Sequence, residues 1–323
     1  KAGQLKPPSD WVELRQYATD LSTWKNNDRD SKLVRLGFAP NTGNAWLYLY
    51  AWQNGGEFLS PDRKTLTMDS PQVVGALKYM TDIYDDLGGF NDVAAYQSSL
   101  QSESALDPFM TGQLVMKIDG NWALDYIADY KQDMDFTVVA PPMPRAADGT
   151  QKAPLTWSGG HAYVVPSSAK QKQGAFKLLQ FLQSDKTLDF MEREFKELKE
   201  GEGKLYLPRC SAKRKFFEKK VQEEVFDNPD MRQTFKDAFQ AMVDIGPNTY
   251  IRPVSPIGQM LWGQHQKGYE LAVRHSDKLT DRALAEVERS DYDSEGAYKD
   301  ALKLKEAEIA MRDAQAPVQK QLD

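Results

Sequence analysis

The residues best suited to chemistry in this chain are flat rings rather than acids, bases or nucleophiles. It holds seven Trp and fourteen Tyr among 323 residues. An indole stacks on the apolar face of a ligand, while amides, carboxylates and backbone N–H groups serve a polar rim. Trp122 follows Asp119-Gly120-Asn121 at the start of a predicted helix. Such a turn exposes amide donors and presents the ring above them. It also follows the carboxyl end of a predicted strand, where α/β folds place ligands. The competing reading of Trp122 is core. Trp46 and Tyr50 lie four residues apart, on one face of a predicted helix. One could face a ligand and the other the core. Trp157 precedes Ser158-Gly159-Gly160, and paired glycines allow either close backbone approach to a ligand or a simple hinge turn. Trp262 sits on a late helix beside Leu261, as platform or as packing. Asn44 and Asp119 are candidate partners for ligand hydroxyls. Trp11, Trp24 and Trp52 read as packing or surface residues.

Catalytic patterns are weaker. The three histidines, His161, His265 and His275, have no metal-binding spacing. On a continuous helix His265 and His275 would lie roughly 15 Å apart, too far to share one ion. Cys210 follows Arg209, which activates a thiol only modestly. There is no phosphate loop or dinucleotide fingerprint. A glycosidase needs two carboxyls at a set separation. Asp119 could be paired with Glu57 or Asp125, but nothing selects the pair.

These residues need a sizeable scaffold, and the chain is long enough for one. It is 41% hydrophobic and 27% charged, with a net charge of −6. No basic excess suggests nucleic acid or anionic membrane as partner. One cysteine cannot form an intrachain disulfide, which leaves the redox compartment open. No run is long and apolar enough to span a bilayer, and no signal peptide is visible.

Periodicity predicts alternating helices and strands, hence an α/β class. Helices are expected at about 10–21, 45–52, 71–87, 102–111 and 122 onward. Others are expected at 173–190, 212–225, 229–243, 257–275, 280–289 and 296–314. Strands are expected at 33–38, 114–118, 136–140 and 162–165. The best-marked helix has Ser70 as cap and Pro71 at its first position. Residues 155–250 offer one convincing strand among several helices, and a sheet needs neighbours.

The segment Phe109-Met110-x-Gly112-x-Leu114-x-Met116-x-x-x-Gly120-x-Trp122 resembles the central signature of the maltose-binding-protein-like (family 1) solute-binding proteins of bacterial ABC importers. In the same order, Ala45–Gly56 resembles the family's aromatic helix and Asn-Gly-Gly turn. Val139–Pro144 resembles its proline exit, and Trp157–Val165 its Gly-Gly crossover. Ser255–Trp262 resembles its late binding helix, and Thr280–Val287 its closing helix. The resemblance covers nearly the whole chain as the C-terminal two-thirds of the family pattern.

The resemblance implies a class II periplasmic-binding-protein fold of two α/β lobes joined by hinge crossovers. Residues 1–150 and 250–323 map to the C-lobe, and 151–249 to a remnant of the N-lobe. Crossovers fall near 145–158 and 246–256. Most of the N-lobe sheet is missing from the pattern, which accounts for the lone strand. The implied function is extracytoplasmic capture of a di- or oligosaccharide between the lobes. A pyranose offers an apolar face to Trp122, the family's usual platform, and to Trp262, Trp46 and Trp157. Gly159, Gly160, Asn44, Asp119 and Tyr50 complete the expected site. The expected partners are the carbohydrate, the transmembrane permease subunits and the missing N-lobe segment. The protein is expected to be a monomer that binds no nucleic acid, needs no cofactor or metal and is not an enzyme. It is expected in the periplasm or outside the cell, with or without a lipid anchor, after removal of a signal peptide. The alternatives are a non-carbohydrate solute on the same fold, a structural or interaction protein with a retired site, and a glycosidase.

Overall fold

The computed structural model describes residues 6–101, 104–146, 148–160 and 162–322. His161 therefore lies outside the described residues. The chain begins with α1 (Trp11–Asp20), whose first turn is closed by the Asp10 carboxylate accepting from the Glu13 N–H at 2.9 Å. Two short strands, β1 (Thr23–Trp24) and β2 (Leu33–Arg35), pair antiparallel. Next come α2 (Leu47–Gln53), α3 (Pro71–Asp86), α4 (Phe90–Ser98) and α5 (Trp122–Tyr130). After β3 (Thr156–Trp157) lie α6 (Lys172–Leu182), α7 (Asp185–Gly201), α8 (Arg214–Val221) and α9 (Gln233–Ile245). The chain ends with β4 (Thr249–Tyr250), α10 (Gly258–Val273), α11 (Asp277–Leu284) and α12 (Glu295–Gln319).

Helices carry this architecture. α3, α10 and α12 pack together, burying Leu77, Met80, Ile83 and Tyr84 against Leu261, Ala272, Ile309, Ala310 and Met311. Each large side chain so buried contributes about 1.5–3 kcal/mol relative to exposure. The Tyr84 and Tyr269 hydroxyls satisfy one another inside this core at 2.8 Å. A second cluster joins Met110, Leu124 and Ile127 to Leu207, Val225, Phe235 and Phe239. Buried Asp82 is matched by Arg15, Lys78 and Lys303, so α1, α3 and α12 are also tied electrostatically.

Several expectations are corrected. The helix expected at 102–111 lies earlier, at α4, and the described residues 104–111 form turns. The single helix expected at 173–190 breaks at Gln183 because Ser184 caps a new one, its hydroxyl accepting from the Thr187 N–H. Ser70 precedes α3 but its hydroxyl makes no capping bond. The predicted strand at 114–118 is reduced to parallel bridges, Leu36 with Leu114 and Gly43 with Ile118. Residues 136–140 and the described 162–165 form no ladder. Their apolar pattern suits a strand, but a strand needs a neighbour to take its N–H and C=O groups. Tyr163 and Val164 are instead 74% and 77% exposed.

Candidate ligand-binding site

Two chain segments come together where the rings converge. β3 and β4 pair in parallel, Thr156 with Thr249 and Trp157 with Tyr250. The Ser158 N–H extends the ladder to the Tyr250 carbonyl at 2.8 Å. Gln53 at the end of α2 anchors this region by donating to the Leu155 carbonyl at 3.0 Å and accepting from the Trp11 indole. Arg63 donates to the Val254 carbonyl and ties down the stretch after β4.

Against this frame a recess is lined by Trp46, Tyr48, Leu49, Trp52, Trp157, Arg252 and Trp262. Its open volume is only about 10 Å³, room for about one water and far below the roughly 300–1,000 Å³ of small-molecule pockets. The rings fill much of the space themselves. Trp46 meets Trp262 edge to face at 5.1 Å between centroids, and Tyr48 stacks on Phe58 at 3.9 Å. His265 backs Trp262 and Tyr48, each 4.6 Å away. Burial lowers its pKa to about 3, so this imidazole is neutral at physiological pH. The same burial raises the Tyr48 phenol, which stays protonated.

Asn44 organises two of the indoles. Its side-chain oxygen accepts from Trp46 Nε1 and its carbonyl from Trp157 Nε1, both at 3.0 Å. Both indole N–H groups are thus engaged, and what these residues offer a ligand is ring surface. The Asn44 N–H in turn donates to the Ile118 carbonyl at 2.7 Å. Gly43 makes that approach possible. Its φ is +76°, and an added Cβ would lie 2.4 Å from the Ile118 oxygen. Asp119 sits beside Gly43, paired with Lys117 at 2.9 Å, and accepts from the Gly120 N–H.

Trp46, Trp157, Trp262 and Asn44 are therefore brought together, with Asp119 adjoining through Gly43. Gly159 and Gly160 are exposed, and the Trp157 ring lies against Gly159, where a Cβ would meet it at 2.8 Å. Trp122 opens α5, is 41% exposed and does not line the recess. Its ring folds back onto Gly120, where a Cβ would fall 2.1 Å from Cζ3. Gly120→Ala is expected to displace that ring, altering the near-UV circular dichroism at a stability cost of about 1–2 kcal/mol. An unchanged near-UV spectrum would contradict this placement.

Tyr50 lies in the core, 1% exposed, donating to the Pro40 carbonyl at 2.9 Å. The separation from Trp46 has a local cause. Trp46 has extended backbone and α2 begins only at Leu47, so the two residues do not share a helix face. Tyr48 and Arg252 are not singled out by sequence, and Trp52, which reads there as packing or surface, lines the recess. Tyr48 and Trp52 carry only the general aromatic density of 46–52. No local pattern marks Arg252, whose partner Trp262 is ten residues ahead.

The model for bacterial extracellular solute-binding proteins matches residues 1–191, more than half of the chain. Among solved structures, mannobiose-bound CpMnBP1 superposes with a TM-score of 0.58 at 17% identity, over 93% of this chain and 64% of its own. The maltose/maltodextrin-binding domain MalE from Bdellovibrio bacteriovorus, bound to maltotriose, gives 0.57 at 18%, over 96% and 67%. An ABC substrate-binding protein from Listeria monocytogenes in complex with cycloalternan gives 0.53 at 16%, over 98% and 65%. The chain thus spans 64% to 67% of the length of these proteins. At such identities the likeness establishes the fold, that of the class II periplasmic binding proteins. The matched residues include the Gly43–Asn44 turn, α2, the Gly120–Trp122 turn and Trp157, and the chain belongs to the bacterial extracellular solute-binding protein family.

Proposed function

We propose that this protein is the extracytoplasmic binding component of an ABC sugar importer, holding a di- or oligosaccharide against its indoles and delivering it to the permease. The observation that carries this reading is the convergence of Trp46, Trp157 and Trp262, distant in sequence, on one recess beside two paired chain segments. Stacking on indoles suits the C–H face of a pyranose. Asn44 acts as the organiser of the platforms, and Trp122 with Asp119 as an outer contact. Gly159 and Gly160 allow the chain to pass close to a ligand. Solved proteins of the same fold are bound to mannobiose and maltotriose.

The proposed lobes are 1–150 with 250–323, and 151–249, hinged at 145–158 and 246–256. The β3–β4 pairing, where both crossovers run side by side, supports that hinge. A further N-lobe segment is the proposed partner of 151–249. α6 leaves Phe176, Leu178 and Phe181 each more than half exposed, apolar surface that such a segment would cover. The site is read as one of binding rather than catalysis, in keeping with a family of solute-binding proteins. Among the described residues no helix is long and apolar enough to cross a membrane, and no cluster suits a metal ion. The proposed location is periplasmic or extracellular, reached through a signal peptide and with a lipid anchor where the envelope requires one.

Intrinsic tryptophan fluorescence tests this reading, since the platforms are the fluorophores. Addition of the correct oligosaccharide is expected to shift the emission saturably. A folded protein whose emission ignores a broad panel of neutral and acidic oligosaccharides would overturn the sugar assignment.

A further inference from the structure

The recess holds a charge that the stacking account leaves unexplained. Arg252 lies just after β4, and its guanidinium sits over the face of Trp262, 4.5 Å from the ring centroid. It thereby occupies the surface on which a ligand ring would stack. The contact is a cation–π interaction, and neutral His265 behind the indole adds no competing charge. Among the described residues Arg252 makes no ion pair. Of the carboxylates near the lining, Asp119 is matched to Lys117, and Glu57 is hydrogen-bonded to Trp52. The other lining residues are Trp46, Tyr48, Leu49, Trp52, Trp157 and Trp262.

A ligand that stacks on Trp262 must move this guanidinium aside. Among the described residues no carboxylate pairs with Arg252, and a carboxylate on the ligand would supply that partner. Guanidinium groups are best satisfied by the bidentate geometry of a carboxylate. We infer that Arg252 is a specificity-determining residue that selects a saccharide bearing a carboxylate, a uronate, and takes that carboxylate as its counter-charge when the sugar displaces it from Trp262. This inference rests on the sugar-binding reading above and deepens it. In the unliganded protein Arg252 caps the indole. In the complex its side chain moves from the ring face to the ligand's acidic rim.

Calorimetry with matched pairs of disaccharides tests it, using α-1,4-galactobiose against digalacturonate and cellobiose against its uronate-bearing counterpart. In at least one pair the acidic member is expected to bind tenfold or more tightly than the neutral one. That preference should weaken with added salt, vanish in Arg252→Gln and persist in part in Arg252→Lys, with melting temperatures of both variants recorded to confirm folding. Neutral members that bind as tightly as their acidic partners in both pairs would overturn the inference while leaving the sugar reading intact. So would an acidic preference that survives Arg252→Gln. Absence of binding by every member to the folded protein would overturn both.

Discussion

Trp262→Ala is expected to weaken oligosaccharide binding by roughly 30- to 150-fold, about 2–3 kcal/mol, the scale of an aromatic hot spot. The ring is the hub of the recess. It touches Trp46 at 5.1 Å and Tyr48 at 5.9 Å, rests on His265 and carries Arg252 on its face. Removing it deletes a stacking surface and lets the neighbouring rings collapse into the space. Because the ring is only partly buried, the protein should remain folded, with a stability loss smaller than that of a full core cavity. The same titration on Trp262→Phe should recover part of the affinity, since a smaller ring restores a smaller platform. Equal affinities for wild type and Trp262→Ala would remove this residue from the site.

His275→Gln is expected to destabilise the protein by about 2–3 kcal/mol near pH 6, below the roughly 3–5 of a fully buried pair, because a third of the ring is exposed. His275 lies just beyond α10 in a left-handed conformation, φ +46°. It bridges Asp85 of α3, at 3.1 Å, and Glu306 of α12, at 2.6 Å. Glu306 is buried and also accepts from Thr280, so the imidazolium closes a network joining α3, α11 and α12. Hydrogen bonds to Asp85 and then Glu306 raise its pKa from 6.5 to about 9, against an opposing effect of burial. A folded pKa above the unfolded one fixes the sign. The contribution is present in full below pH 6.5 and is lost as pH rises through 9. Chemical denaturation of the wild type across that window should show falling stability, and the same series on His275→Gln should be nearly flat there. A wild-type curve unaffected between pH 6.5 and 9.5 would contradict the bridge.

The helical frame was largely legible because its signals are local. Pro71 at the first position and apolar residues at three-to-four spacing mark α3, and α10 to α12 follow from the same periodicity. The strands were not legible for the opposite reason. An apolar run such as 136–140 states only what a strand would look like, and whether it pairs depends on residues far away in the chain. The five aromatic candidates show the same division. Trp46, Trp157 and Trp262 could be singled out by type and by resemblance, but their convergence depends on the β3–β4 pairing and on Asn44 holding two indoles at once. Tyr50 lies in the core while Trp46 parts from its face, because α2 begins at Leu47, two residues later than the expected helix, and leaves Trp46 on extended backbone. Arg252 lies in a proline-rich stretch with no periodicity, and its position over Trp262 is a tertiary fact.

The recess formed by Trp46, Trp157 and Trp262 is the proposed place of saccharide binding. Isothermal calorimetry of the protein against a panel of neutral and acidic oligosaccharides tests it most directly, run in parallel on Trp262→Ala and Trp157→Ala. The prediction is a one-to-one binding heat with at least one saccharide in the wild type, strongly reduced in both variants. A heat that persists undiminished in both folded variants would place the ligand elsewhere, and silence across the panel from a folded wild-type protein would contradict carbohydrate capture altogether.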